Sequence, residues 1–299
     1  MNRDQPTILV TGINGQVGFE LVRTLQGLGH IVALDRAALD LADAARVKEV
    51  VRSIAPHVIV NAAAYTSVDQ AEDEAEQARL LNAEGPRLLA AEARRLNAWL
   101  VHYSTDYVFD GTKRDSYVEG DVVCPLNVYG QTKADGEHAI AASGCKHLIF
   151  RTSWVYGLRG ANFLRTMLRL AAQRPELSIV ADQYGAPTWS RSIAELTANV
   201  LSQVVAAEPV RDRTPDDRSG IYHLTNQGKA SWFEFAQEIF RLWPLPSQPK
   251  VEPISARSYN AKARRPENSC LSNDKLFETF GVRAPDWRVA LKMCAEMAG

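Results

Sequence analysis

Tyr129 and Lys133 are the two side chains of this sequence whose types and spacing point most directly to chemistry. Four residues apart, a phenol and an ammonium lie one turn apart on the same face of a helix. A carbonyl that accepts a hydride needs a proton at its oxygen as negative charge develops there, and Tyr129 can supply it. Free tyrosine has a pKa of about 10, so a role near pH 7 requires a lower pKa. We expect the charge of Lys133 to lower it sufficiently only in a partly desolvated pocket.

Hydroxyl and carboxyl groups follow the predicted strand 99–103, where the sequence continues with Ser104, Thr105 and Asp106. Open α/β sheets bind their ligands at the carboxyl ends of the strands. Thr105 or Ser104 can donate a hydrogen bond to the same carbonyl oxygen, and the sequence leaves open which one does. A Tyr-x-x-x-Lys match occurs by chance in many proteins, so its place after these strands gives the pair its value.

A glycine-rich turn joins the first predicted strand, 8–10, to the first predicted helix. Gly12, Gly15 and Gly18 have the spacing G-x-x-G-x-x-G. Without side chains the backbone can approach a pyrophosphate, and the start of a helix offers amide groups and a positive dipole to its charge. A tight βα turn explains the same glycines, but an acidic residue after the second strand favours a dinucleotide site.

That acidic residue is Asp35, which can accept hydrogen bonds from an adenosine ribose and favours NAD. Arg36 beside it can pair with the 2′-phosphate of NADP, so either cofactor remains open. Asp40 and Leu41 resemble the pair that flanks adenine in related proteins, although Asp40 could equally cap the next helix. Small residues at 62–64, after the third strand, fit either a chain passing under a nucleotide or close helix packing.

The elements that must position these residues alternate regularly along the first half of the chain. Continuous apolar runs predict strands at 8–10, 31–34, 58–60, 99–103 and 148–151. Helical patterns between them cover 17–28, 44–54, 78–97 and 131–142. This order predicts an α/β fold, a Rossmann-type doubly wound parallel sheet with helices on both faces.

Beyond residue 151 the alternation loosens. We expect helices at 163–173, 193–205, 273–280 and from 286 onward, and strands at 177–180 and 221–224. Ser231 and Glu234 have the spacing of a capping box before a further helix. The charged stretch 208–219 is predicted to be an exposed loop. We therefore expect a mainly dinucleotide-binding domain at 1–151 and a smaller, interleaved C-terminal substrate-binding lobe at 152–299.

Composition narrows the class of protein. The 299 residues are 46% hydrophobic and 23% charged, which is typical of a soluble globular protein. A net charge of −1 disfavours binding to nucleic acid or to an anionic membrane. The longest uncharged stretch falls short of the roughly 20 apolar residues of a membrane helix, and the N-terminus has no signal-peptide core. Four widely spaced cysteines and no H-E-x-x-H motif favour a cytoplasmic enzyme without a catalytic metal.

Four blocks of sequence carry a resemblance to a known family. They read VHYSTDYVF at 101–109, PLNVYGQTK at 125–133, FRTSWVYG at 150–157 and DQYGAPT at 182–188. Together they resemble the extended short-chain dehydrogenase/reductases and, within that superfamily, the dTDP-4-dehydrorhamnose reductase family. The resemblance covers nearly the whole chain and includes Arg265 and Pro266.

The resemblance implies reduction of the 4-keto group of dTDP-4-dehydro-β-L-rhamnose, giving dTDP-L-rhamnose for surface polysaccharide synthesis. It implies NADPH as cofactor, with NADH as a possibility. Tyr129 would be the proton donor, and Lys133 its partner and a ligand of the nicotinamide ribose. The other residues that would contact the cofactor are Gly15, Gln16, Val17, Asp35, Asp40, Leu41, Ala64, Tyr65 and Thr66.

On the substrate side the resemblance implies contacts from Thr105, Asp106 and Trp154 to the sugar nucleotide. A packed aromatic beside a strand end is the other explanation of Trp154. Arg265 would pair with the diphosphate, since guanidinium binds phosphate through two hydrogen bonds, and a surface salt bridge is the other explanation of this residue.

Some relatives form homodimers bridged by Mg²⁺. Glu20 matches one carboxylate of that site, but Arg191 stands where another acid would align. A cation there would repel the metal, so the resemblance leaves a homodimer as an expectation and makes Mg²⁺ doubtful.

Two other functions remain open. A sugar-nucleotide epimerase or dehydratase would retain its NAD unchanged, so net NAD(P)H consumption separates it from a reductase. Dehydratases place an acidic pair beside the threonine, whereas here Tyr107 follows Asp106. The same fold also serves as a non-catalytic regulatory subunit, the β-subunit of methionine adenosyltransferase, and fold alone does not exclude that role. Intact Thr105, Tyr129 and Lys133 favour an enzyme.

Overall fold

The computed structural model describes residues 5–205, 218–245 and 247–298. Most of the predicted exposed loop at 208–219 lies outside these ranges. The strands are β1 Thr7–Thr11, β2 His30–Leu34, β3 Val58–Asn61, β4 Trp99–Thr105, β5 Lys146–Thr152, β6 Val155–Tyr156, β7 Glu176–Val180, β8 Tyr184–Gly185, β9 Thr188–Trp189, β10 Gly220–His223, β11 Ala230–Ser231 and β12 Lys250–Ile254. Six of them form the main sheet in the order β10-β5-β4-β3-β1-β2, and every pairing in it is parallel. The predicted Rossmann-type sheet is therefore confirmed.

The helices pack mainly against this sheet and against one another. They are α1 Gln16–Thr24, α2 Ala44–Ile54, α3 Val68–Ala71, α4 Ala75–Arg79, α5 Gly85–Leu96, α6 Val128–Ser143, α7 Phe163–Ala171, α8 Ser190–Val205, α9 Trp232–Leu242, α10 Ala256–Tyr259, α11 Asp274–Phe280 and α12 Trp287–Glu296. In the described part of the chain, no helix combines the length and the apolar character needed to cross a membrane.

The predicted helix at 78–97 is interrupted. A π-helical turn, Leu80–Glu84, separates α4 from α5. Pro86 has no N–H to donate to the carbonyl of Asn82 four residues earlier, so a regular helix loses a hydrogen bond there. The amide of Asn82 is buried and bonds to Tyr65 and to Thr132 on α6. These contacts favour the wider turn. Single π-helical turns inside α-helices are often found near functional residues.

Both faces of the main sheet are buried, because successive side chains of a strand point to opposite faces. Ile8 and Val10 of β1 belong to the core shared with α1, α8 and α11. Leu9 between them belongs to the core shared with α2, α5 and α6. The continuous apolar runs of the sequence therefore mark strands covered by helices on both sides.

A third hydrophobic core lies outside the sheet, and we call it the C-terminal cluster. Its buried residues come from α7, α9, α12 and the short strands, and include Tyr156, Leu164, Phe235 and Trp287. Helix α9 begins with the predicted capping box, in which Ser231 and Glu234 satisfy each other's backbone amides. The chain beyond residue 152 also supplies β10 to the main sheet, so it contributes to both cores.

Candidate active site

A cleft of about 640 Å³ lies at the carboxyl ends of β1, β3, β4 and β5. Trp232 and Phe163, which pack against the C-terminal cluster, form part of its wall. Parallel sheets bind ligands at this edge. The residues predicted from sequence that line it are Gly15, Gln16, Val17, Ala64, Thr66, Thr105, Asp106, Tyr129, Lys133, Trp154 and Arg265.

Gly12 and Gly18 shape the glycine-rich turn without lining the cleft. Gly12 has a φ of 71°, and a Cβ there would lie 2.5 Å from the backbone nitrogen of Ala63. A Cβ on Gly18 would lie 2.2 Å from the carbonyl oxygen of Gly12. Both positions are closed to any larger residue, so the turn can hold its shape only with glycine.

The start of α1 faces the cleft. Gly15 is its N-cap and supplies no side chain to bond the first amides. These N–H groups have no partners within the helix, and the positive end of the helix dipole lies with them. Gln16 is held by Asn162, whose Nδ2 donates to Gln16 Oε1 at 2.8 Å. The helix start can therefore receive the diphosphate of a dinucleotide.

Asp35, Arg36, Asp40, Leu41 and Tyr65 lie outside the lining of the cleft. Asp35 follows β2 and accepts a hydrogen bond from the Ala38 amide at 3.0 Å. Arg36 pairs with Asp40 at 3.2 Å, and its side chain is 72% exposed. Leu41 is buried in the core, and the Tyr65 hydroxyl donates to Glu74 at 2.8 Å.

The alternative role of Asp40 as a helix cap is wrong. Asp43 caps α2 instead, accepting hydrogen bonds from the amides of Ala45 and Arg46. Asp40 accepts from Ala42 in the preceding turn. Its carboxylate therefore stays beside Arg36 at the end of β2.

Helix α6 presents Tyr129 and Lys133 to the cleft. It begins after Asn127, whose side chain accepts from the Gly130 amide at 2.8 Å. Burial and the nearby charge of Asp106 raise the pKa of Tyr129 to about 12, and a hydrogen bond with Thr105 opposes this only in part. The phenol therefore keeps its proton at neutral pH.

The amine of Lys133 points toward β4. Its Nζ donates to the carbonyl oxygen of Tyr103 at 2.5 Å and lies 3.1 Å from Nε2 of His102. Burial lowers the pKa of Lys133 to about 8, and the charge of Glu137 opposes the shift. The pKa of Tyr129 is raised in this geometry, chiefly by burial of the phenol, so the lowering expected from Lys133 in a desolvated pocket is not found.

Thr105 and Asp106 form one hydrogen-bonded unit at the end of β4. Thr105 Oγ1 donates to Asp106 Oδ1 at 3.0 Å, and Ser153 Oγ donates to Asp106 Oδ2 at 2.8 Å. Burial nevertheless raises the pKa of Asp106 to about 6. Of the two candidate hydroxyls, Thr105 is the one that bonds to Tyr129, whereas Ser104 Oγ has no partner among the described residues.

Trp154 occupies a strained position at the mouth of the site. Its φ is 47°, which is uncommon for a bulky residue and often marks a functional site. Its ring stacks on Trp232 with centroids 3.4 Å apart. Sequence reasoning missed Trp232 and Phe163 as cleft residues, because no local motif tells a cleft aromatic from a core aromatic.

Arg265 lines the cleft and also forms the salt bridge considered as its other explanation. Its Nη2 and Nη1 contact the two carboxylate oxygens of Asp69 at 2.7 and 3.1 Å. The side chain of Arg265 is 19% exposed. A guanidinium has five donors, so the bond to Asp69 leaves capacity for a phosphate.

Arg191 lies near Glu20, the carboxylate considered for a bridging metal. Its Nε donates to Glu195 at 2.8 Å, and its charge lowers the pKa of Glu20 against the larger effect of burial. Within the described ranges, no group of three or more His, Cys, Asp or Glu residues is placed to hold a metal ion. A guanidinium thus stands beside Glu20.

Comparison with known proteins extends over nearly the whole chain. The family described as "RmlD substrate binding domain" matches residues 6–298. The dTDP-4-dehydrorhamnose reductase of Burkholderia thailandensis is 49% identical over 295 residues, which cover 96% of this chain and 97% of the relative.

Solved structures agree with the sequence comparison. The dTDP-4-dehydrorhamnose reductase of Bacillus anthracis, crystallised in complex with NADP, has a TM-score of 0.88 at 35% identity and covers 98% of this chain and 99% of its own. The Clostridium acetobutylicum protein of the same name has a TM-score of 0.90 at 36% identity, with the same coverage. With its glycine-rich turn and its Tyr129–Lys133 pair in one cleft, this chain belongs to the dTDP-4-dehydrorhamnose reductase family.

Proposed function

We propose that this protein reduces the 4-keto group of dTDP-4-dehydro-β-L-rhamnose to give dTDP-L-rhamnose, with NADPH as the main cofactor and NADH as a second one. The observation that carries the proposal is the meeting of Thr105, Tyr129 and Lys133 with the glycine-rich turn in one cleft. The relatives named dTDP-4-dehydrorhamnose reductase, one of them solved with NADP, support it.

The residues present fit a nicotinamide dinucleotide. Gly15, Gln16 and Val17 would hold the diphosphate at the start of α1, where a Cβ on Gly15 would lie 3.2 Å from the Gly12 carbonyl. Asp35 would hold the adenosine ribose. Arg36, largely exposed, can turn from Asp40 to a 2′-phosphate, which favours NADPH. The cofactor, when bound, supplies the hydride.

The protein's own residues supply the proton for the reaction and stabilise the oxygen that receives it. Tyr129 holds a proton at neutral pH and can pass it to the developing alkoxide of the sugar. Thr105 donates its single O–H to Asp106 in this structure, and it can turn that O–H to the same oxygen when the substrate is bound. Lys133, on the same face of α6 as Tyr129, would bind the nicotinamide ribose and would act as the partner of the phenol.

The sugar nucleotide would lie toward the C-terminal cluster. Trp154, stacked on Trp232, offers an aromatic surface for a sugar or base. Arg265 would pair with the diphosphate of the substrate. We therefore propose that residues 152–299 mainly bind substrate. Free cysteines at all four positions support a cytoplasmic location.

The direct test is NADPH oxidation by the purified protein given dTDP-4-dehydro-L-rhamnose, followed by absorbance, with NADH in parallel. We expect one equivalent of NADPH to be consumed for each dTDP-rhamnose identified by mass spectrometry and NMR. A protein that binds NADPH but leaves this substrate unchanged would contradict the proposal.

A further inference from the structure

Lys133 lies at the end of a buried hydrogen-bonded chain that crosses three strands. Thr11 Oγ1 on β1 and the Ala63 amide both contact Asn61 Oδ1, at 2.7 and 3.2 Å. Asn61 Nδ2 lies 3.1 Å from His102 Nδ1, and His102 Nε2 lies 3.1 Å from Lys133 Nζ. Thr11, Asn61, His102 and Lys133 are each only 1% exposed. Water therefore has no access to these groups from the sheet side.

The Ala63 amide determines which groups donate and which accept along this hydrogen-bonded chain. This N–H can only donate, so the Asn61 oxygen must face it and the Asn61 NH₂ must face His102. His102 Nδ1 is then an acceptor, and the neutral ring carries its hydrogen on Nε2. That hydrogen points at the Nζ of Lys133. Burial and the neighbouring charge of Lys133 hold the pKa of His102 well below its usual value, so the ring stays neutral.

An N–H directed at Nζ affects the two forms of Lys133 differently. A neutral amine has a lone pair that can accept from His102, while it still donates to the Tyr103 carbonyl. An ammonium has no acceptor, so the same contact is unfavourable. His102 in this tautomer therefore favours the amine.

The other groups around Lys133 act in both directions. Glu137, one turn further along α6, favours the ammonium, but it is itself held by Arg151 of β5 at 2.6 Å. Tyr129, on the cleft side, is uncharged at neutral pH, and Asp106 lies beyond it. Thr11 and Asn61 carry no charge. Of the two described groups that contact Nζ, the Tyr103 carbonyl accepts from either form of the lysine, whereas His102 in this tautomer favours the amine over the ammonium.

We propose that His102 is a positioning residue: held by Asn61, it donates its Nε2–H to Lys133 and so sets the pH above which the protein loses the lysine ammonium beside Tyr129. The kinetic part of this inference rests on the proposed reductase function, whereas the tautomer of His102 does not. The same chain also fixes where Nζ lies, since His102 and the Tyr103 carbonyl hold it from two sides.

The tautomer is tested without any turnover. The wild-type protein, with its histidines labelled with ¹⁵N, is titrated by NMR from about pH 6 to about pH 9, and His102→Gln identifies the signal. We expect a neutral ring throughout, with the hydrogen on Nε2. A hydrogen on Nδ1, or a ring that titrates near its usual pKa, would overturn the inference even if the reductase activity is confirmed.

The kinetic test compares His102→Gln with His147→Gln. His147 lies on the neighbouring strand β5, bonds to the Cys145 carbonyl and does not line the cleft, so it is a matched control. A glutamine at 102 can turn its carbonyl oxygen to accept from the ammonium. We expect the alkaline limb of the pH profile of kcat to move to higher pH by about one unit in His102→Gln and not to move in the control.

Each result separates the two proposals. Coincident alkaline limbs for the wild type and both variants would show that His102 does not control Lys133. If the wild type does not reduce the keto-sugar, the proposed function fails, and the NMR titration still decides the tautomer. If His102→Gln does not fold, the wild-type titration with assignment through Asn61→Asp gives the same decision.

Discussion

Tyr129 keeps its proton at neutral pH because burial and the Asp106 charge both disfavour the phenolate. A proton donor needs its proton in place, so this environment suits an acid in the direction of reduction. The residue types and their spacing predict the tyrosine, the lysine and the threonine as a group. The pKa values could not be predicted, since they depend on burial and on neighbours that come from other strands.

Tyr129→Phe keeps the ring and removes the proton. We expect kcat to fall by about 10²- to 10⁴-fold, while NADPH binding, measured by fluorescence, stays near that of the wild type. Tyr156→Phe is the control, because it removes a buried hydroxyl from the C-terminal cluster and leaves the cleft intact. An undiminished kcat in Tyr129→Phe would exclude the phenol as the acid.

Asp106 illustrates a cost in stability at a functional position. Its pKa is raised from 3.8 to about 6, so ionisation in the folded protein is unfavourable. This loss of stability is absent below the unfolded pKa, grows as the pH rises through both values, and is complete above the folded one. About two pH units correspond to about 3 kcal/mol.

We therefore expect Asp106→Asn to unfold at higher urea concentration than the wild type at about pH 8, with a free energy of unfolding larger by up to about 3 kcal/mol. About half of this advantage should remain near pH 5, and most of it should be lost near pH 4. Its kcat/KM should fall, because the hydrogen bond from Thr105 no longer meets a carboxylate. The pH profile of kcat/KM should also lose its acid limb near pH 6, because the group that titrates there is gone. An advantage in stability that does not depend on pH would show that the charge of Asp106 is not its cause.

At the scale of elements, the strands of the main sheet follow from continuous apolar runs, because both faces of each are buried. The break of the predicted helix at 78–97 could not be predicted. The side chain of Asn82 is satisfied by Tyr65 and Thr132, which are distant in sequence and meet it only in the folded chain. Pro86 was the one local signal, and proline is also common in the first turn of a helix.

The glycine-rich turn makes a sharp prediction at this scale. Gly18→Ala places a Cβ 2.2 Å from the Gly12 carbonyl, so the turn and the start of α1 must move apart. We expect NADPH binding to weaken by at least tenfold and the free energy of unfolding to fall by about 1–3 kcal/mol. Calorimetric titration and urea unfolding measure the two effects.

Gly27→Ala provides the matched control. A Cβ at Gly27 meets no atom within 4 Å, so we expect unchanged NADPH binding and equal or slightly higher stability. Equal NADPH affinity in Gly18→Ala and Gly27→Ala would mean that the cofactor does not depend on this turn.

The cleft belongs to the whole molecule, since its two walls come from separate cores. Trp232 and Arg265 reach it from parts of the chain far from the nucleotide-binding half. Sequence patterns predict α9, which carries Trp232, but not which of its residues faces the cleft. The resemblance to relatives, rather than periodicity, pointed to Arg265.

Arg265 also joins the two halves through its bond to Asp69 of α3. If it binds the substrate diphosphate, Arg265→Gln should raise the KM for the sugar nucleotide by tenfold or more, because a charge-assisted hydrogen bond contributes about 1.5–3 kcal/mol. The KM for NADPH should change little. Arg241→Gln removes an exposed pair with Glu238 on α9 and serves as the control.

Asp69→Asn separates the two roles of Arg265, because it weakens the bridge and leaves the guanidinium in place. A phosphate ligand predicts that Arg265→Gln harms substrate binding far more than Asp69→Asn does, and that the difference shrinks at high salt. A purely structural bridge predicts equal losses in both variants, accompanied by equal losses in stability. Steady-state kinetics at two salt concentrations, with urea unfolding of the same variants, decides between a ligand of the substrate and a link between the two halves.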